Sequence, residues 1–338
     1  MRKLAAAVAL GFLLAACTSD DGDDGAQATS SPVVTAAATG ELEVEEFEVP
    51  DGSRPHDVAP AEDGGVWYAA QGSGELGYLD PSDGSTKEIS LGAGSRPHGV
   101  IVGPDGAPWV TDGGLNAIVR VDPESEEVET FALPDDASDA NLNTAVFDGD
   151  VLWFTGQAGA YGRLDASSDS PRVEVFEAPG GRGPYGITAT PSSDVYYASL
   201  AGDHIARIDT ESGEATRIDP PGPGRGPRRV WSDSKGIIWI SEWDAGKLGR
   251  YDPEDQSWRE WDLPGEAPQA YAVFVDDEDI VWLSDFGGNS IVRFDPSTEE
   301  FTTLNLPDSP GNVRQIHGRP GEVWGAQSAA DSLIRILT

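Results

Sequence analysis

The chain has 338 residues, of which 59 are acidic and 22 are basic, so its formal net charge at pH 7 is -37. Such a surface would repel the phosphates of DNA or RNA, and this excludes a nucleic-acid partner. The length allows a large core, and the single cysteine, Cys17, excludes an intramolecular disulfide.

The amino end has the pattern of an export signal. Arg2 and Lys3 precede an apolar run over residues 4–16, which is too short to span a bilayer, and Cys17 follows directly. The last four residues, Leu-Ala-Ala-Cys, resemble a bacterial lipobox. The pattern predicts a lipoprotein signal peptide over residues 1–16 and lipid attachment at Cys17. The alternative is an ordinary secretory signal with a chance cysteine. We expect an exported, membrane-anchored protein facing the periplasm or the cell exterior, with the lipid as its only contact with the membrane.

Residues 17–40 are acidic at first and then rich in Ser, Thr, Ala and Pro, with almost no large apolar side chain. A segment of this composition cannot bury enough surface to fold. We therefore predict a disordered tether between the anchor and the folded domain.

The rest of the chain repeats with a period of about 43 residues, which is typical of a β-propeller blade. An aromatic residue marks the same place in each of seven units: Trp67, Trp109, Trp153, Tyr196, Trp239, Trp282 and Trp324. The spacing predicts an all-β fold over residues 41–338, a seven-bladed β-propeller. We expect each aromatic residue to pack between neighbouring blades, because one sheet cannot bury both of its faces alone.

One unit, residues 95–134, shows four short runs of strand-forming residues separated by turns such as Asp122-Pro123. Four antiparallel strands make one blade. The seventh unit ends after its third strand, while residues 41–50 have the pattern of a fourth strand. We predict that this amino-terminal strand completes the last blade and closes the ring, which removes two exposed sheet edges.

The start of strand one and the end of strand two meet at one end of an antiparallel blade, and we expect both to face one mouth of the central channel. The first position carries His56, His98, Asn143, Tyr185, Arg228, Tyr271 and Arg314, and the second carries Ala70, Asp112, Gly156, Ser199, Glu242, Asp285 and Gln327. Polar groups that converge in a funnel are typical of a ligand site. Asn143, Tyr185, Arg228, Tyr271 and Arg314 are the predicted substrate-binding residues. The alternative is that these side chains are only solvated.

Two of the four histidines stand in an identical phrase, Ser-Arg-Pro-His, in adjacent units. They are His56 and His98, the candidate catalytic residues, since neutral imidazole is a common general base. Copying of one ancestral unit explains the repeated phrase equally well. His204 is predicted to be solvated in a loop.

Three carboxylates of the second position, Asp112, Glu242 and Asp285, are candidate ligands for a hard cation. In a chain this acidic, carboxylates also fall near one another without binding a metal.

Several phrases together resemble the virginiamycin B lyase family over residues 41–338. They are Gly-Pro-Tyr-Gly-Ile-Thr from residue 183, Trp-Phe-Thr from 153, Trp-Ile-Ser-Glu from 239, Gly-Lys-Leu-Gly-Arg from 246 and Trp-Asp-Leu-Pro from 261. The resemblance implies a seven-bladed propeller and a Mg²⁺-dependent elimination that opens a cyclic depsipeptide at its ester. It also implies that His98 is the base and His56 a substrate contact, with Asp112 near the place of a metal-binding carboxylate.

The chain departs from the family pattern at two points. Arg54 and Arg96 stand where the family has a glutamate before a Pro-His phrase, and the paired histidines lie in the first two blades rather than the last two. Two functions follow: a carbon–oxygen lyase acting on a cyclic ester, or a non-catalytic propeller that binds a small-molecule or peptide ligand at the same mouth. Sugar-lactone hydrolysis by a propeller is disfavoured because those rings have six blades. We expect a monomer.

Overall fold

The protein is described by a computed structural model that covers residues 42–168, 170–307 and 310–338. Over these ranges the chain forms seven four-stranded antiparallel sheets, which are the blades of one ring. The propeller prediction is confirmed. The predicted signal peptide over residues 1–16, the lipidation of Cys17 and the tether over residues 17–40 lie outside the described residues.

The strands are numbered in chain order and, from β2 on, follow one another around the ring. The amino-terminal strand β1 is Val44–Glu48. Blade one has β2 Pro55–Pro60, β3 Val66–Ala70, β4 Glu75–Asp80 and β5 Ser85–Ser90; blade two has β6 Pro97–Val102, β7 Pro108–Asp112, β8 Ala117–Val121 and β9 Val128–Ala132. Blade three has β10 Leu142–Asp148, β11 Val151–Gly156, β12 Ala160–Asp165 and β13 Val173–Glu177; blade four has β14 Pro184–Ala189, β15 Val195–Ser199, β16 His204–Ile208 and β17 Ala215–Ile218. Blade five has β18 Pro227–Ser232, β19 Ile238–Glu242, β20 Lys247–Asp252 and β21 Ser257–Asp262; blade six has β22 Ala270–Val275, β23 Val281–Asp285, β24 Ser290–Asp295 and β25 Glu300–Asn305. Blade seven has β26 Val313–Arg319, β27 Glu322–Gln327 and β28 Ser332–Leu337.

The repeated aromatic residue binds each blade to the next. Trp67 of blade one packs in one cluster with Val100, Val110 and Val119 of blade two, and the other six aromatic residues form equivalent clusters. All seven are at least 96% buried, which makes blade-to-blade packing the core of the molecule. Truncation of one such side chain to alanine lowers the free energy of unfolding by about 3–5 kcal/mol.

The ring is closed by β1. It pairs antiparallel with β28, from Val44 opposite Ile336 to Glu48 opposite Ser332, and so supplies the fourth strand of blade seven. Val44 and Phe47 are buried, and the ring of Phe47 lies 5.4 Å from that of Trp324. The predicted closure is confirmed.

The pairing of the first and second strands is interrupted by a β-bulge near the start of the first strand in all seven blades. A bulge turns a side chain away from the regular pleat. In every blade the residue just after the first paired residue falls in this bulge. Among the described residues the only helix is the 3-10 turn Asp135–Ala137, and no helix there is long and apolar enough to cross a membrane.

Candidate functional site

Seven residues of the first predicted position lie in the bulges, one in each blade. They are His56, His98, Asn143, Tyr185, Arg228, Tyr271 and Arg314, each the second residue of its blade's first strand. Contacts between them cross the channel, because Tyr185 of blade four reaches both His98 of blade two and Tyr271 of blade six. Direct contacts therefore join six of the candidate residues at one mouth: His56, His98, Tyr185, Arg228, Tyr271 and Arg314.

The rings of His56 and His98 lie against each other, with their centroids 3.7 Å apart and their planes tilted by 41°. Nδ1 of His56 lies 2.8 Å from a carboxylate oxygen of Asp57, and Nδ1 of His98 lies 3.1 Å from the backbone carbonyl of Asn143. Both partners can only accept a hydrogen bond, so each Nδ1 carries the proton. This tautomer leaves Nε2 of both rings as a proton acceptor.

Both histidines are neutral near pH 7. Burial lowers the pKa of His56 well below its usual value, and the positive charges of Arg229, Arg314 and Arg228 lower it further. Burial also lowers the pKa of His98, with a further contribution from His56. A neutral imidazole whose Nδ1 carries the proton keeps Nε2 free to accept another, as a general base must.

The opposite side of the mouth is a tyrosine–arginine cluster. The hydroxyls of Tyr185 and Tyr271 lie 2.6 Å apart, Arg228 donates to Tyr185 at 3.2 Å, and Arg314 donates to Tyr271 at 3.3 Å. Burial raises the pKa of Tyr185, whereas Arg228, Arg229 and Arg314 outweigh burial and lower the pKa of Tyr271. Tyr185 Oη is also 3.4 Å from Nε2 of His98. The cluster thus joins the histidines through one hydroxyl.

One layer deeper, a buried ion pair spans the ring. Arg229 of blade five contacts both carboxylate oxygens of Asp57 in blade one, at 2.7 and 3.3 Å, and Thr144 of blade three at 3.2 Å. Below it lies a cavity of about 30 Å³, enough for about one water molecule. Asp57 orients His56, and Arg229 holds Asp57. Sequence reasoning missed both residues, although each directly follows a predicted site residue.

Two aromatic residues at the rim were also missed. Trp243 and Phe286 come immediately after the second strands of blades five and six, and both are half-buried. Phe286 stacks on Tyr271 at 4.5 Å, and Trp243 lies 4.9 Å from the guanidinium of Arg228. The corresponding residues of the other five blades are not aromatic, and this irregularity was the available signal.

The three carboxylates of the second position that were predicted as metal ligands do not form one site among the described residues. Both oxygens of Asp112 are taken up by its own loop, where they accept from Ser95 and from the backbone of Arg96, Gly114 and Leu115. Asp285 accepts two backbone N–H groups of its own blade in the same way, and Glu242 is fully buried beside Gly249 in the third strand of its blade. Asp112 and Asp285 thus stabilise loops, whereas neither oxygen of Glu242 has a hydrogen-bond partner among the described residues, and the three carboxylates do not converge on one point.

A different group of potential ligands does converge. Among the described residues, ligand atoms of His56, Asp57 and His98 lie within 4.8 Å of one another. The set does not suit Mg²⁺, which prefers oxygen ligands in an octahedral shell. It offers one carboxylate, already engaged by Arg229 and His56, and Arg228 and Arg314 stand nearby. The Mg²⁺ that the family resemblance implies stays an untested prediction that these residues do not favour.

The remaining predicted residues lie elsewhere. Arg54 and Arg96 are exposed at the start of blades one and two, just before the Pro-His phrases. His204 is fully buried, and its Nδ1 donates to the carbonyl of Gly202 at 2.9 Å, so the prediction of a solvated residue was wrong. The side chain of Asn143 is buried at the mouth, and its Oδ1 has no hydrogen-bond partner among the described residues.

Comparison with known proteins places these observations in context. Residues 85–338 match the sequence model of the Virginiamycin B lyase family. No curated protein sequence matches the chain. Among solved structures, virginiamycin B lyase from Staphylococcus aureus is 19% identical, with a TM-score of 0.81 over 88% of this chain and 100% of that one.

Two further structures show how widely the fold is used. A catalytically inactive histidine-to-alanine variant of the Staphylococcus aureus lyase, solved with quinupristin, is 20% identical with a TM-score of 0.81, over 88% of this chain and 100% of that one. YCF48 bound to a D1 peptide is 14% identical with a TM-score of 0.70, over 90% of this chain and 99% of that one. At these identities the likeness concerns the fold alone, and the fold serves both a lyase and a peptide-binding protein.

Proposed function

Because the chain belongs to the virginiamycin B lyase family, we propose that it is a carbon–oxygen lyase that opens a cyclic depsipeptide or a related ester at the histidine mouth. The observation that carries this proposal is the state of His98. Its Nδ1 donates to a backbone carbonyl, its ring is neutral, and its Nε2 acceptor lies 3.4 Å from the hydroxyl of Tyr185.

The proposed reaction is an elimination. Nε2 of His98 takes the proton from the carbon next to a carbonyl, the electrons of that C–H bond form a carbon–carbon double bond, and the C–O bond on the adjacent carbon breaks to release a carboxylate. Arg228 and Arg314 stabilise the negative charge that develops on the departing carboxylate. His56, fixed by Asp57, packs against His98 and positions it.

The direct test uses the purified chain with a streptogramin B, with either Mg²⁺ or a chelator, and mass spectrometry of the products. Elimination gives a linear product of unchanged mass with a new double bond, whereas hydrolysis adds the mass of one water. His98→Ala should lower the rate by about 10²- to 10⁴-fold. The control is His317→Ala, because His317 packs against Trp231 and lies outside the histidine pair of the mouth. This variant should form product at the wild-type rate. The proposal fails if the wild type gives no linear product.

One observation favours a second function: side-chain contacts cross the channel at the mouth. Tyr185 contacts both His98 and Tyr271 across the channel, and a mouth bridged in this way suits a non-catalytic propeller that holds a small molecule or peptide. Saturable binding of a streptogramin B without any linear product would favour this function. Sedimentation of the purified chain tests the monomer that we propose for either function.

We also propose that the protein is exported and held to a membrane through a lipid on Cys17. The support is the sequence pattern of residues 1–17. Cells grown with a labelled fatty acid should yield a labelled protein that partitions into detergent, while Cys17→Ser should yield an unlabelled one. Absence of label from the wild type would refute the anchor.

A further inference from the structure

The centre of the mouth carries positive charge in a protein whose net charge is -37. The second and third residues of the seven first strands include three arginines, Arg228, Arg229 and Arg314, against one acid, Asp57. Since both histidines are neutral, the central layers carry a net positive charge. An acidic chain that concentrates cations at one mouth creates a local attraction for anions.

Two of these arginines have no acidic partner. Arg229 is neutralised by Asp57, whereas neither Arg228 nor Arg314 forms a salt bridge with any carboxylate of the described ranges. This contrasts with Arg225, Arg319 and Arg335, which pair with Glu260, Glu322 and Glu45. Guanidinium groups that are partly buried and lack a counter-ion are unfavourable unless something compensates their charge.

Both unpaired guanidiniums are nevertheless held in place. Arg228 lies over the ring of Tyr271 at 3.6 Å and over that of Tyr185 at 4.5 Å, and its Nε has no partner among the described residues. Arg314 donates to Ser328 at 2.6 Å and to Tyr271. Stacking and these few hydrogen bonds leave other N–H donors available. Planar guanidinium groups with free donors match the two oxygens of a carboxylate.

The wall beside this charge is aromatic. Trp243 packs edge-on against Tyr271 at 5.6 Å and against Phe286 at 5.5 Å, and both rim residues are half-buried. A ligand anchored at Arg228 would thus contact an aromatic surface on one side. The guanidinium of Arg228 and the aromatic rings of Trp243 and Phe286 together favour an anion that carries an apolar group.

We propose that the mouth is a carboxylate-binding site, in which Arg228 and Arg314 hold the carboxylate of a small organic acid and Trp243 and Phe286 contact its apolar part. The site takes an anion where the family resemblance implies a metal cation. The proposal rests on the proposed function in one respect, since the elimination releases a carboxylate and this site would hold that leaving group. Binding itself needs no turnover.

Calorimetric titration of the purified chain tests it, with phenylacetate as the probe and phenylacetamide as its uncharged counterpart. We expect saturable binding of phenylacetate and at least tenfold weaker binding of the amide. This comparison uses the wild type alone, so it does not depend on the folding of a variant. Equal binding of the two, or no binding of phenylacetate at millimolar concentrations, would overturn the proposal.

Variants then locate the site. Arg228→Gln and Arg314→Gln should each weaken phenylacetate binding at least tenfold, while Arg293→Gln, on the third strand of blade six, should leave it unchanged. A uniform loss in all three, or none in the first two, would contradict the assignment. Inorganic phosphate that binds more tightly than phenylacetate, or Mg²⁺ that is required for binding, would also contradict it.

The two proposals fail separately. Carboxylate binding without a linear product refutes the lyase and leaves the carboxylate site. A linear product formed only with Mg²⁺, by a protein with no affinity for phenylacetate, refutes the carboxylate site and leaves the lyase.

Discussion

Glu242 is predicted to make the stability of the protein depend on pH. Its side chain is fully buried, and neither carboxylate oxygen has a hydrogen-bond partner among the described residues. Burial, followed by repulsion from Glu260, raises the pKa of Glu242 to about 8. The other charged groups around it are Arg225, whose Nε lies 3.9 Å from the carboxylate, and Lys247 and Asp203.

The direction of this pH dependence follows from the number of protons that the folded and unfolded states bind. The ordinary pKa is 4.5, so between pH 4.5 and about 8 the folded state holds a proton that the unfolded state has lost. The contribution of Glu242 to the free energy of unfolding is therefore fully present below pH 4.5, and it is lost as the pH rises from 4.5 through about 8. One pKa unit corresponds to about 1.4 kcal/mol, so the loss between pH 5 and pH 8 is about 3 kcal/mol.

Glu242→Gln removes the titration while keeping the shape of the side chain. Urea unfolding of wild type and variant at pH 5, 6.5 and 8 should show the variant gaining stability relative to the wild type, by about 3 kcal/mol across the series. Glu254→Gln, in the turn after β20, controls for the loss of one acidic charge. If the free energies of unfolding of wild type and Glu242→Gln run parallel with pH, Glu242 does not titrate in this window and the reasoning is refuted.

Three further changes probe the scaffold. Asp112→Ala should lower the free energy of unfolding by about 3 kcal/mol, because three backbone N–H groups lose their acceptor; a loss below about 1 kcal/mol in urea unfolding would show that the loop does not need this carboxylate. Arg229→Met should lower the free energy of unfolding by about 3–5 kcal/mol, because the Asp57 carboxylate stays buried without its ion-pair partner. Adding Asp57→Asn should recover part of that loss in the same assay. A chain that begins at residue 52 should lose its cooperative thermal transition because blade seven loses β1, and an unchanged melting profile in calorimetry would speak against a stabilising closure.

The parts of the fold that sequence could predict are those set by local, repeated chemistry. Turn residues, apolar strands and the aromatic residue recur in every unit, so counting from Trp67 to Trp324 located the blades and the strand that closes the ring. The same alignment picked out the second residue of each first strand, which lies in the bulge of its blade. The period of the sequence predicts the positions of the strands because every blade packs against its neighbours in the same way.

The rest could not be read from a repeat. Arg229 and Asp57 are 172 positions apart in the chain, and their contact exists only because the ring brings blades one and five face to face across the channel. The carboxylates of Asp112 and Asp285 were misplaced for a different reason. Their position was predicted from the end of the strand, but the direction of each side chain is set by backbone N–H groups of the adjacent loops.

The bulge shared by all seven blades has a consequence for how the protein can change. Because the residue at each bulge lies outside the regular strand ladder, its identity is not constrained by cross-strand pairing. Imidazole, amide, phenol and guanidinium occupy equivalent positions on a nearly invariant frame. Evolution, or an engineer building a combinatorial library, can therefore vary these seven sites to alter ligand preference while leaving the blades themselves intact.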